Sequence, residues 1–112
     1  MKPLDRKAAI AAWKEVKPVA GIYSVACPAE GAIWVGQSRN LAAQSNSLWF
    51  MLRLGSHRTP ALQAAFDRHG RDGLVYAELE RLPEEDMALV QRTLLKDAAA
   101  AWTARLGAQR LI

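Results

Sequence analysis

The chain contains one cysteine, Cys27, in 112 residues. A single thiol excludes an intrachain disulfide and makes a reducing compartment the simpler expectation. Histidine is almost as scarce. His57 and His69 with one cysteine do not make a zinc set. No apolar run approaches the roughly 20 residues needed to span a bilayer, so no membrane partner is expected. The apolar patch from Ala8 to Trp13 is short and runs into Lys14 and Glu15, which is not the pattern of a secretory signal. A cytoplasmic location is therefore the expectation. There is no repeat, linker or low-complexity segment.

What remains is the composition of an ordinary soluble protein, 51% hydrophobic and 23% charged. The length fits one domain over 1–112, which buries roughly two-thirds of its unfolded surface. A formal charge of +4 and a pI near 9.6 fit a polyanion partner without demanding one.

Asp5 can cap a helix over 5–17, and Pro18 forbids its continuation. Ala9, Ile10, Trp13 and Val16 form its apolar stripe. Next come two short runs rich in aromatic and β-branched residues, Gly21-Ile22-Tyr23-Ser24-Val25-Ala26 and Ala32-Ile33-Trp34-Val35. Cys27-Pro28-Ala29-Glu30-Gly31 separates them, so the pattern predicts a β-hairpin. Tyr23 and Val25 share one face of the pleat, and Ile33 and Val35 share another.

A helix follows over 39–54, capped by Ser38 or Asn40, with Leu41, Leu48 and Leu52 on one face. Trp49, Phe50 and Met51 widen its apolar surface. Thr59-Pro60 opens another helix, which Gly70 ends. Residues 74–82 alternate Val75, Ala77 and Leu79 against Tyr76, Glu78 and Glu80, as a strand with one wetter face. Pro83-Glu84-Glu85-Asp86 is a strong helix start, and Gly107 ends that helix, as one piece over 84–107 or broken near Lys96. Met87, Val90 or Gln91, Leu94, Ala98, Trp102 and Leu106 mark its buried stripe. The order is α-β-β-α-α-β-α, and the class is α+β: the N-terminal helix to residue 18, a β-β-α-α-β core over 20–82, and the last helix. With three strands available, a small sheet covered by helices is the economical solution.

Gly21-Ile22-Tyr23 and Trp34-Val35-Gly36-Gln37-Ser38 resemble the paired signature of the GIY-YIG nuclease family, with Trp replacing the second Tyr. Arg39-Asn40-Leu41, Gly55-Ser56-His57 and the segment from Leu62 to Gly70 continue the match in register. The resemblance implies a three-stranded antiparallel sheet flanked by helices. It also implies metal-dependent phosphodiester cleavage by two hairpin tyrosines, a helix Arg and a later Glu that holds one metal ion.

Carried onto this chain, the site positions are Tyr23, Trp34, Gln44 and His57, and Gln91 is the nearest counterpart of the Glu. Tyr23 would be the general base or its relay. Trp34 donates a hydrogen bond but cannot accept a proton as a phenolate does, so packing is its favoured role. Gln44 is an amide where a guanidinium is needed to neutralise a transferring phosphate. The window 87–94 holds no carboxylate, and Glu84, Glu85 and Asp86 read as helix-start acids.

The expectation is a domain without hydrolytic competence and without a metal or other cofactor. It keeps weak, sequence-tolerant nucleic-acid binding that falls steeply with salt, through Tyr23, His57, Arg39, Arg58 and Arg68. Two alternatives stand beside it. One is an active endonuclease using magnesium or manganese with a relocated Arg and carboxylate. The other is a protein-interaction module that exposes an apolar patch around Trp49-Phe50-Met51.

Overall fold

The two apolar runs of the hairpin pair antiparallel, from Gly21↔Ser38 to Cys27↔Ala32. They form β1 (Gly21–Cys27) and β2 (Ala32–Ser38). A single 3-10 turn, Pro28–Glu30, joins them. Gly31 closes that turn at φ 62°, a left-handed conformation that glycine adopts without a Cβ penalty. The computed structural model describes residues 18–111, and the helix expected over 5–17 lies outside the described residues. After the hairpin come α1 (Leu41–Arg53), α2 (Pro60–His69), β3 (Val75–Arg81), α3 (Ala88–Leu106) and β4 (Gln109–Arg110).

The sheet order is β3-β1-β2-β4. β3 returns antiparallel to the outer edge of β1. The pattern predicts three strands and the family resemblance implies that they run antiparallel, as they do. The structure adds a short fourth, parallel to β2, which makes the sheet mixed. Gly107, at φ 60°, turns the chain back after α3. Gln109 and Arg110 then lie beside Trp34 and Val35, and the Leu111 N–H donates to the Val35 carbonyl at 2.9 Å. Two residues are too few to carry a period, so the pattern could not announce them.

The pleat divides the core in two. Tyr23, Val25, Cys27 and Trp34 face α1 and α2, and pack with Leu41, Leu48, Leu52, Leu62 and Ala65. Ile22 and Val35 face the other way and pack with Leu95 and Ala99 of α3. Hence the helices cover both faces. Each fully buried Leu, Ile or Val contributes about 1.5–3 kcal/mol relative to exposure.

Asn40 starts α1, its side chain accepting from the Ala43 N–H. α3 begins at Ala88, four residues later than Glu84. The chain remains extended past β3, with the Leu82 N–H bonded to the Ala20 carbonyl at 2.9 Å. Met87 is an extended N-cap, and its N–H donates to the Glu85 carboxylate at 3.0 Å. Glu84, Glu85 and Asp86 thus precede the helix instead of forming its first turn. From Ala88 the helix runs unbroken to Leu106.

The expected buried stripe holds at Ala98, Trp102 and Leu106, which pack against the α3-side cluster, and fails nearer the start of the helix. Leu95 and Ala99 are buried, whereas Leu94 and Val90 are each 37% exposed and Met87 is 63% exposed. Adjacent leucines let the apolar period fit either phase. On β3, a register shift opposite Ile22 and Tyr23 brings Leu79 and Glu80 together toward the α3 side. Glu80 there accepts from the Trp102 indole N–H at 2.8 Å.

Candidate functional site

Two glycines of the hairpin are required by close approach. A Cβ on Gly21 would run into the Glu80 carbonyl and the Leu41 side chain. A Cβ on Gly36 would lie 2.6 Å from the Tyr23 hydroxyl, because the Tyr23 ring lies across that position. Cross-strand pairing sets this up, since Tyr23 is the partner of Gly36 on β2.

Tyr23 is 5% exposed and stacks on Tyr76 of β3, with ring centroids 5.4 Å apart. Its hydroxyl accepts a hydrogen bond from Gln44 Nε2 at 3.3 Å. Burial, and secondarily the nearby Tyr76, push the phenol up to about 12. The start of α1 aims Gln44. Ser38 Oγ accepts from the Asn40 N–H at 3.0 Å, Asn40 caps the helix, and Gln44 follows one turn later.

Trp34 belongs to the same buried cluster and is 2% exposed, which places it in the core. Its Nε1 and the Tyr76 hydroxyl are buried and have no hydrogen-bond partner among the described residues. Tyr23 and Gln44 are thus joined directly, and Trp34 shares the buried cluster of Tyr23.

The other positions are dispersed. His57 latches the loop between α1 and α2. Its backbone N–H donates to Gln63 Oε1 at 3.2 Å, and its Nδ1 accepts from the Thr59 N–H at 3.0 Å. Burial lowers its pKa, so the ring stays neutral to lower pH. Arg58 is exposed. Arg39 lies beyond the end of β2, in a groove of about 340 Å³ that also takes in Gln91, Glu84, Glu85 and Asp86. Ala20 and Leu82 border that groove, and both belong to the α3 side of the sheet.

Arg68 is held at the far end of the hairpin. Its guanidinium grips Glu30 in the turn, with contacts of 2.7, 2.8 and 3.0 Å, and His69 Nε2 sits 2.7 Å from the same carboxylate. Cys27 Sγ, the Glu30 carboxylate and His69 Nε2 all lie within 4.8 Å of one another. These are metal-ligating atom types. Arg68, however, already engages both Glu30 oxygens and puts a positive charge where an ion would sit.

Two residues near Tyr23 were not singled out from the sequence. The register sets Glu78 opposite Tyr23, on the same face of the sheet, and Tyr76 stacks on the Tyr23 ring. Glu78 is ion-paired to Arg81 at 3.2 Å. The alternation assigns both Tyr76 and Glu78 to the wetter face of the strand, whereas Tyr76 packs against the α1-side cluster and Val75 is 52% exposed. Which strand they would join is not written in that alternation.

The structure resembles the catalytic domain of the homing endonuclease I-TevI. The match has a TM-score of 0.68 and 21% identity, over 83% of this chain and 98% of that one. A mutant of the same intron endonuclease's catalytic domain matches at TM-score 0.67 and 24% identity, over 80% of this chain and 84% of that one. The fold is GIY-YIG-like. No family model and no curated protein matches the chain.

In this GIY-YIG-like domain the donor set does not suit the divalent ion that the family resemblance implies. Gln91 offers a neutral amide. The acids that share its groove open beside the α3 cluster, while Tyr23 and Gln44 meet on the α1 side. Glu78 is the nearby carboxylate by register, and Arg81 already compensates its charge. Among the described residues, no helix is long and apolar enough to cross a membrane.

Proposed function

We propose that this domain holds nucleic acid without hydrolysing it. The Gln44–Tyr23 bond is the observation that carries the reading. A phenol with a pKa near 12 is ionised in about one molecule in 10⁵ at neutral pH, so Tyr23 is a poor base. A cation beside it would stabilise the phenolate, but the Gln44 amide is neutral. That amide also cannot offset the charge on a transferring phosphoryl group, a contact whose loss costs several kcal/mol. The amide at Gln91 supports the same conclusion.

Binding rests on Arg39, Arg58 and the loop carrying His57, within a chain of net charge +4. Arg68 contributes little while Glu30 holds it. Few phosphate contacts imply weak, sequence-tolerant affinity with a shallow salt slope, about −0.9 per phosphate contacted. Fluorescence anisotropy on duplex and branched DNA across a salt series tests this. Affinity should rise as salt falls, and Arg39→Glu and Arg58→Glu should each weaken it on every sequence. Absence of binding at low salt would remove the claim.

Glu78 favours a second reading, that of an active endonuclease with a relocated carboxylate. Under that reading magnesium or manganese supports plasmid nicking, and both Tyr23→Phe and Glu78→Gln abolish it.

A further inference from the structure

We propose that the solvent face of α1 carries a second site, which stacks an unpaired nucleobase and holds its phosphate. A groove of about 590 Å³ lies there, lined by Asn46, Ser47, Trp49, Phe50 and Arg53 of α1, Phe66 of α2, and Arg71 from the turn that follows. Asn46, Trp49, Phe50 and Arg53 stand at helical spacings of three, four and seven, so they share one stripe. Gln44 lies two residues from Asn46, about 200° around a 3.6-residue helix. The groove is therefore separate from the Tyr23 site.

Its chemistry is specific. Phe50 is 55% exposed, a large apolar ring left in water. Trp49 and Phe66 are half-buried against the core, which fixes the floor. The Arg71 guanidinium lies over the Trp49 ring, 5.0 Å from its centroid, and Arg71 is exposed. Arg53 also lines the groove, and among the described residues no carboxylate does. Two guanidinium groups with no carboxylate partner among the described residues, beside the exposed Phe50 ring, call for a ligand that is both flat and anionic. A nucleotide is both. Its base stacks on Phe50 or on Arg71, its phosphate pairs with Arg53, and Asn46 and Ser47 offer an amide and a hydroxyl to the base edge. Bases within a duplex are already stacked, so the occupant is single-stranded. A second copy of the chain fits poorly, because a two-fold interface would set this cationic patch against itself.

The proposal rests on the reading of the domain as a nucleic-acid binder, and its test separates the two. Anisotropy is measured with labelled oligothymidylate and with a duplex of equal length. Wild type should bind the single strand. Phe50→Ala should weaken that binding about tenfold, within the range for loss of one stacking contact, and Phe50→Trp should retain it. Arg71→Ala should also weaken it, while Arg58→Glu should act on the duplex. Phe50 is exposed, so circular dichroism of Phe50→Ala should match wild type.

Oligothymidylate binding unchanged by Phe50→Ala would overturn the second site. So would duplex binding by wild type with no single-strand binding, and that result would leave the proposed function standing. Single-strand binding lost in Phe50→Ala, with no duplex binding in wild type, would support the groove and reject the Arg39–Arg58 surface. If Phe50→Ala instead abolishes a concentration-dependent dimer and oligothymidylate does not bind, the groove is a protein interface and the proposal fails.

Discussion

The side-chain amide of Gln44 donates to the hydroxyl of Tyr23 across 3.3 Å, tying the first helix to the first strand. The bond joins two positions to which the family resemblance would assign chemistry. Here both groups are neutral, and the phenol is buried beneath the helix.

Alkaline stability should report on Tyr23. Its folded pKa is raised from 10.0 to about 12. The unfolded chain therefore releases this proton first. The stabilisation is fully present below pH 10 and is lost as pH rises to about 12, at most ~3 kcal/mol by the linkage relation. Tyr76 is shifted the same way. Denaturant midpoints on either side of that window should fall steeply in wild type and less in Tyr23→Phe. An equal decline in both would contradict the assignment.

Gln44→Arg should lower the Tyr23 pKa. A guanidinium at hydrogen-bond distance favours the phenolate, where the amide does not. Ultraviolet difference titration should show one tyrosine ionising earlier than in wild type. The double variant Gln44→Arg with Gln91→Glu should still not nick DNA, because Gln91 opens on the α3 side of the sheet.

Gly36→Ala should destabilise the domain by about 1–3 kcal/mol, the usual cost of overpacking. The added methyl meets the Tyr23 ring, which must move and release Gln44. In a Tyr23→Ala background the cost should shrink. A double-mutant cycle with no coupling would show that the two side chains do not compete for that space.

The Glu30 clamp should make the hairpin acid-sensitive. Hydrogen bonding from Arg68, then from His69, holds the Glu30 carboxyl below its ordinary value of 4.5. A lowered carboxylate pKa stabilises the fold above the unfolded value, and this is lost as pH falls through the folded one. Melting temperature should drop on acidification in wild type and drop less in Glu30→Gln. Identical profiles would remove the clamp from the account.

The hairpin, α1 and α2 were legible because their signals are local. Pro28 and Gly31 mark the turn, Asn40 the cap, and Thr59-Pro60 the helix start. The glycines of the signature also have a physical reason in the structure, since Gly21 and Gly36 sit where other side chains and backbone press closest. What the pattern withheld is tertiary. The phase of α3 was ambiguous between Leu94 and Leu95. The acids before α3 have the pattern of a first helical turn, and the Leu82–Ala20 bond that keeps the chain extended there joins distant segments. The pairing of Glu78 with Tyr23 and of Glu30 with Arg68 depends on strand register and on the packing of α2, and neither is periodic. The resemblance names Gln91 as the nearest counterpart of the family's Glu, and in the structure Gln91 lines the groove that also takes in Arg39, Ala20 and Leu82.

Plasmid nicking tests the central claim most directly. Supercoiled DNA incubated with the purified domain and magnesium or manganese should remain supercoiled, while the same preparation retards duplex DNA at low salt. Conversion to the open circle, absent in Tyr23→Phe, would contradict the account and establish a working nuclease.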